Sequence, residues 1–216
     1  MTLPRLRDEL ARLPIPRSER VYEGRVWNIR SDDVDLGDSG VVTREFMEHT
    51  GAVAILALNE AGEVLLLRQY RHPVQSYLWE LPAGLLDIPG EPWLTAARRE
   101  FAEEADLEAQ TWHTLVDIYT SPGGSDEFIR IYLARNLRSV PLEQRHVREA
   151  EEADLVPVWV PLGEAVQRVF AGDLHNSPAA LGILAAHAAR EQKWANLRPA
   201  DAEFDRKVAR GQGAGS

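Results

Sequence analysis

Three carboxylates at helical spacing are the first chemistry this sequence offers. In Arg99-Glu100-Phe101-Ala102-Glu103-Glu104, Glu100 and Glu104 stand at i and i+4 and Glu103 at i+3 from Glu100. On a helix their side chains leave one face about one turn apart. Like charges so placed repel by roughly a few tenths of a kcal/mol per pair on an open surface, and by more where partly buried. Arg99 reaches Glu103 at i+4 but cannot neutralise three acids. Clustered oxygen donors suit hard divalent cations such as Mg²⁺ or Mn²⁺. The plainer account is a solvated, salt-bridged helix face, because Glu-rich helices are common and most bind nothing.

The flanking residues favour the first account. The stretch runs Gly84-Leu85-Leu86-Asp87-Ile88-Pro89-Gly90-Glu91 and on to Leu107. Gly84, Glu91, Arg99, Glu100, Glu103, Glu104 and Leu107 match fixed positions of the Nudix box, the signature of hydrolases that cut a diphosphate linked to another group. The segment therefore resembles that box, with two departures. Six residues rather than five separate Gly84 from Glu91, a one-residue insertion in a loop, where insertions are tolerated best. Asp106 stands where the box closes with Gly; left-handed backbone is expected there, and Asp accepts it better than most residues. The resemblance implies that Glu100 and Glu104 hold Mg²⁺, or Mn²⁺ or another divalent ion in its place. It makes Glu103 a further or water-mediated ligand and gives the Ala83 carbonyl a place in the same shell. Glu91 and Arg99 then brace loop and helix.

The box names a reaction, and residues outside it choose the substrate. Trp79-Glu80-Leu81-Pro82-Ala83-Gly84 leads into it as in bacterial ADP-ribose pyrophosphatases. Ser121-Pro122-Gly123-Gly124-Ser125-Asp126-Glu127 sets Pro122 15 residues beyond Leu107, a marker of that subfamily. Glu151-Glu152-Ala153-Asp154 matches the acidic loop that supplies the catalytic base, with Glu152 favoured, Glu151 the close alternative, and an acidic surface turn the plain reading. Arg71 resembles the subfamily's phosphate-binding arginine, a role its planar fork suits, against a surface salt bridge. Trp27, Arg44 and Glu80 fall where relatives stack adenine and fix polar groups, with Pro122 and Glu127 beside them; Trp27 as ordinary core is the competing account. The resemblance, covering roughly Val21 to Glu191, implies a nucleoside diphosphate sugar as substrate, with ADP-ribose giving AMP and ribose 5-phosphate. It also implies a homodimer built through N-terminal strands. The alternatives are another ADP-sugar, a dinucleotide polyphosphate or NADH, or a non-catalytic ADP-ribose sensor, which would be expected to lack metal ligands or to carry an added basic segment.

The elements that must position these residues are visible as patterns. Gly51 to Leu58, the turn Asn59-Glu60-Ala61-Gly62 and Glu63 to Gln69 read as a hairpin with a buried strand, and a strand pattern begins already at Val41. Pro92 with Leu94, Ala97, Phe101 and Ala105 gives an amphipathic helix that carries the carboxylates on its other face. Strands are predicted at His113 to Tyr119, Glu127 to Ala134 and Leu155 to Val160. A second helix follows through Leu162, Ala165, Val166, Val169 and Phe170. Asn176-Ser177-Pro178 caps a third with Leu181, Leu184 and Ala185. Strands in blocks with interspersed helices predict an α/β, mixed α+β fold: a mixed β-sheet sandwiched between helices. Residues 1–45 are expected to form an N-terminal extension with dimerisation strands, 46–195 the catalytic domain, and 196–216 a flexible tail.

Composition narrows the alternatives. At 216 residues and a formal charge of -10, the chain holds one sizeable core and repels polyanions, so no nucleic-acid partner is expected. With no cysteine, disulfides, thiolate metal sites and cysteine nucleophiles are excluded. No apolar leader or membrane span is visible, which predicts a cytoplasmic protein without a membrane partner. Phosphate-loop, dinucleotide, zinc-protease and serine-hydrolase motifs are missing, and the six histidines follow no metal spacing.

Overall fold

The computed structural model describes residues 6–146 and 155–204. These residues divide into two compact units, one within Met1–His49, Ser121–Asp126 and Phe204–Ser216, the other within Thr50–Thr120 and Glu127–Glu203. In the first, β1 (Arg17–Glu23), β2 (Asn28–Asp35) and β3 (Val41–Glu48) form an antiparallel meander. Segment 121–126 joins its end: Met47 N–H donates to the Gly124 carbonyl at 2.9 Å and Asp126 N–H to the Met47 carbonyl at 3.1 Å.

The second unit holds β4 (Ala52–Ala57), β5 (Glu63–Arg71), β6 (Ser76–Glu80), β7 (Ala83–Leu85), β8 (Leu107–Tyr119), β9 (Phe128–Ser139), β10 (Val156–Pro161) and β11 (Arg198–Pro199). Its helices are α1 (Trp93–Ala105), α2 (Leu162–Ala171) and α3 (Ser177–Glu191). One sheet runs β11-β8-β9-β4-β7, mixed because β4 pairs β9 in parallel, and a second runs β10-β5-β6. Side chains alternate between two apolar clusters along the buried strands. Ala52, Ala54 and Leu56 of β4 pack with Leu162 and Ala165 of α2 and Ala179, Ile183 and Ala186 of α3. Val53, Ile55 and Ala57 pack on the opposite side with Ala96, Ala97 and Phe101 of α1. The mixed α+β sandwich expected from the sequence is thus present.

Two expectations change. The Asn59 turn forms, with Glu63 N–H donating to the Asn59 side chain at 2.9 Å, but β4 and β5 share only an isolated bridge at Leu58 and Val64. Each strand then enters a different sheet, β4 pairing with β7 and β9 and β5 with β6 and β10, while their apolar residues share the same two clusters. The supposed tail is in part docked: Arg198–Pro199 pairs with Thr114 and His113 of β8, and the Thr114 hydroxyl donates to the Pro199 carbonyl at 2.9 Å. Residues 205–216 lie outside the described residues. Among the described residues, no helix is long and apolar enough to cross a membrane.

Candidate active site

The carboxylate helix lies against β7, and two of its acids land on consecutive residues there. Glu104 accepts the Ala83 N–H at 2.9 Å through Oε2. Glu100 covers Gly84 so closely that a Cβ there would overlap its carboxyl group. The box glycine is therefore a matter of space, since any side chain would expel the carboxylate. Strand β7 is fixed for this by β4, with Ala83 opposite Ala54 and Gly84 opposite Val53.

Arg99 holds the remaining charge. Its guanidinium forks onto Glu91 at 3.2 and 3.1 Å, and its third nitrogen reaches Glu100 at 2.7 Å and Glu103 at 3.3 Å. The Glu91 hydrogen bond is foremost in raising the Arg99 pKa, and Glu100 adds to it against the lowering effect of burial. The bracing expected of Glu91 and Arg99 is what their contacts provide. At the far end, Asp106 adopts left-handed backbone with φ 54°, and its N–H donates to the Ala102 carbonyl at 3.2 Å. The inserted loop residue is absorbed in a turn, where Glu91 N–H meets the Ile88 carbonyl at 3.1 Å and Gly90 takes φ 79°.

Among the described residues, no group of three or more His, Asp or Glu side chains is gathered tightly enough to hold a metal ion as they stand. Glu100 and Glu103 turn to Arg99, and Glu104 turns to the backbone. The chemistry of the donors nevertheless fits a hard divalent cation: two carboxylates one helical turn apart converge on Ala83 and Gly84.

On β5 and β6, Arg71 and Glu80 form a two-pronged ion pair, Nε to Oε1 at 3.0 Å and Nη2 to Oε2 at 2.7 Å. Glu80 is buried, its side chain 6% exposed, whereas that of Arg71 is 44% exposed. The salt bridge weighed against a phosphate role for Arg71 is thus present, and its partner is another candidate site residue. Glu127 accepts the Thr120 hydroxyl at 2.6 Å. In the N-terminal unit, Trp27 is 42% exposed and leans on Tyr22 with ring centroids 5.9 Å apart, so it is no core residue. Arg44 is exposed on β3, donating to the Thr43 carbonyl at 3.0 Å, and Pro122 is exposed in the turn closed by Gly124 N–H on the Ser121 carbonyl at 3.0 Å. Glu151 and Glu152 lie outside the described residues. Sequence reasoning passed over Asp117 and Arg130, a buried ion pair at 2.7 Å; the signal was a lone arginine inside the apolar run Phe128 to Ala134.

A model of the NUDIX domain matches residues 47–179. The chain belongs to the Nudix family. It is 47% identical over 193 residues to an ADP-ribose pyrophosphatase of Mycobacterium tuberculosis, covering 89% of this chain and 91% of that protein. An ADP-ribose pyrophosphatase of Bacillus subtilis is 33% identical, over 76% of this chain and 87% of its own length. Among solved structures, an ADP compounds hydrolase superposes with a TM-score of 0.70 at 22% identity, over 86% of this chain and 98% of that one, a likeness of fold. Family membership accounts for the box: Glu91, Arg99, Glu100 and Glu103 are linked through the Arg99 guanidinium, and Glu100 and Glu104 meet β7 at Gly84 and Ala83, despite the inserted residue.

Proposed function

We propose that this Nudix enzyme hydrolyses the pyrophosphate bond of a nucleoside diphosphate sugar, ADP-ribose foremost, releasing AMP and ribose 5-phosphate. The observation that carries this reading is the meeting of Glu100 and Glu104 with the Ala83–Gly84 segment. The relative at 47% identity directs the choice of substrate. Glu100 and Glu104 hold Mg²⁺, with Glu103 and the Ala83 carbonyl as further donors. The ion, when bound, supplies positive charge to the diphosphate oxygens. Arg71 grips a phosphate from the exposed end of its pair with Glu80, and Glu152, or its neighbour Glu151, takes the proton of the attacking water. Trp27 stacks on adenine, and Arg44, Glu80, Pro122 and Glu127 take part in binding the substrate.

The same reading makes residues 46–195 the catalytic domain and residues 1–45 a dimerisation arm of a cytoplasmic homodimer. The arm's sheet supports it: β1 is exposed throughout, Val21, Tyr22, Trp27 and Val41 face solvent, and among the described residues neither apolar cluster includes one before Ala52. Its described side-chain contacts are largely polar, such as Arg30 with Glu48 at 3.2 Å. A second copy is the natural cover for it.

The test is a panel of diphosphate compounds with purified protein and Mg²⁺, separating products by chromatography. AMP and ribose 5-phosphate from ADP-ribose, faster than from other members, is the expected result; no product from any member overturns the enzyme reading. Glu104→Gln should weaken the dependence on metal, and Glu152→Gln should lower turnover while metal binding persists.

A further inference from the structure

A charged side chain unused by this chemistry lies buried beside the start of the carboxylate helix. Arg130 of β9 is only 3% exposed. Its guanidinium forks onto Asp117 of β8, Nε to Oδ1 at 2.7 Å and Nη2 to Oδ2 at 3.1 Å, and its third nitrogen donates to the Ala202 carbonyl at 2.7 Å. Asp117 is gripped a second time by Arg198 at 2.8 Å. Burial works to lower the Arg130 pKa, but the hydrogen bond and charge of Asp117 outweigh it and the net change is upward. Three fixed acceptors therefore hold the planar group charged and still, a task its fork suits and an ammonium does not.

The guanidinium carbon lies over the Trp93 ring, 4.8 Å from its centroid. Trp93 is the first residue of α1 and packs on Phe128 at 4.9 Å between ring centroids. Phe128 in turn lies so close to Gly51 that a Cβ there would overlap it, and the Gly51 carbonyl accepts Leu86 N–H, in the loop of the box, at 3.0 Å. Such a clamp answers a local deficit. Helix α1 has no side-chain N-cap and no acid in its first turn, whereas α3 is capped by Asn176, whose Oδ1 accepts Ala179 N–H at 3.0 Å. At the start itself only the backbone serves, the Pro92 carbonyl accepting Thr95 N–H at 2.8 Å and Ala96 N–H at 3.1 Å. Glu100 and Glu104 lie roughly 10 and 16 Å along the axis from it, so a small pivot at the start is magnified at the carboxylates.

We propose that Arg130 is a positioning residue. Through Trp93 it fixes the entry of α1, and thereby where Glu100 and Glu104 meet Ala83 and Gly84, while the segment Arg198 to Ala202 keeps Arg130 in place. The consequence for metal binding rests on reading Glu100 and Glu104 as metal ligands; the consequence for the helix does not.

The test compares Arg130→Met, Arg130→Lys, Trp93→Ala and Trp93→Phe in the full chain, with Ile183→Val in the opposite cluster as a control. One readout is amide hydrogen exchange at Ala97 to Phe101 without metal; the other is Mn²⁺ affinity, followed by the paramagnetic resonance of the free ion. Arg130→Met and Trp93→Ala should speed exchange in α1 beyond any change in global stability and weaken Mn²⁺ binding about tenfold, the scale of losing a group that orients ligands. Trp93→Phe should restore most of both, and Arg130→Lys should fall between; these two milder variants decide the matter if the others do not fold. Unchanged exchange in α1, or an equal change in Ile183→Val after correction for stability, overturns the proposal. If wild type and Glu104→Gln bind Mn²⁺ alike, the metal reading fails, and exchange alone judges Arg130.

Discussion

Helices α1 and α3 pack on opposite faces of the same β4 strand and are stabilised by different means. Helix α3 starts at a capped Asn176, with proline in its first turn, and buries Ala179, Gly182, Ile183 and Ala186. Helix α1 has no cap, buries Ala96, Ala97 and Phe101, and devotes its other face to Glu100, Glu103, Glu104 and Arg99. One face of the sheet is therefore held mainly by packing and local backbone satisfaction. The other depends on contacts made at a distance: Arg99 with Glu91, Glu104 with Ala83, and Trp93 with Arg130. Chemistry requires polar groups that are held but not saturated by their own helix, so the reactive helix gives up the local devices that secure its counterpart.

The strongest challenge to this contrast is to hollow out each side in turn. Phe101→Ala should cost about 3–5 kcal/mol and Ile183→Ala about 2–5 kcal/mol in chemical unfolding. At temperatures where both are folded, only Phe101→Ala should also weaken turnover of ADP-ribose; equal loss of turnover in the two would erase the distinction. Next in size, Gly84→Ala should reduce kcat by about two orders of magnitude, the scale of a displacement near 1 Å at a reacting group, because the new methyl displaces Glu100. Near-normal kinetics would mean that Glu100 does not work from this position. A smaller effect tests the caps: Asn176→Ala should lose about 1 kcal/mol, and Pro92→Ser should gain a similar amount by capping α1. Thermal melts read both, and a neutral Pro92→Ser would show that Trp93 already fixes the helix start completely.

The smallest expected effect exposes a flaw on the packed side. His113 Nδ1 is buried without a hydrogen-bond partner on the face shared with Leu133, and burial first, then the charge of Arg135, lowers its pKa. The folded protein thus binds this proton less readily than the unfolded chain. The His113 contribution to stability is complete above the ordinary histidine pKa of about 6.5 and is lost as pH falls from there toward the lowered folded value. Melting temperatures should decline below that point, and His113→Gln should flatten the decline. An unchanged slope in the variant would assign it to other groups.

Much of α1 was legible because its information is local. The i, i+4 spacing, the Arg-Glu pair and the left-handed Asp106 are properties of a dozen neighbouring residues, and the fold left them unchanged. Strand stretches were legible for the same reason, but their partners were not: the Asn59 turn suggested a hairpin, yet β4 pairs with β7 and β9. In α3, Leu181, Leu184 and Ala185, read as the apolar stripe, are only half-buried, and the fully buried positions are Ala179, Gly182, Ile183 and Ala186, where Gly182 lets Leu81 and Ile131 approach the helix closely. Arg71 and Glu80 were each legible as site residues, but their pairing was not: the β5–β6 register sets Glu80 opposite Leu67 and Arg71 opposite Ser76, and the two side chains meet only by reaching along the sheet.

By itself, then, the sequence determined the reaction class and the helix that carries it, because helical spacing and charge are fixed within a few residues. Tertiary structure decided what those charges meet. Ala83 reaches Glu104 across 21 positions, and Ala202 reaches Arg130 across 72. Contacts at such separation leave no periodic trace in the chain, since they form only when the strands of one sheet settle their order.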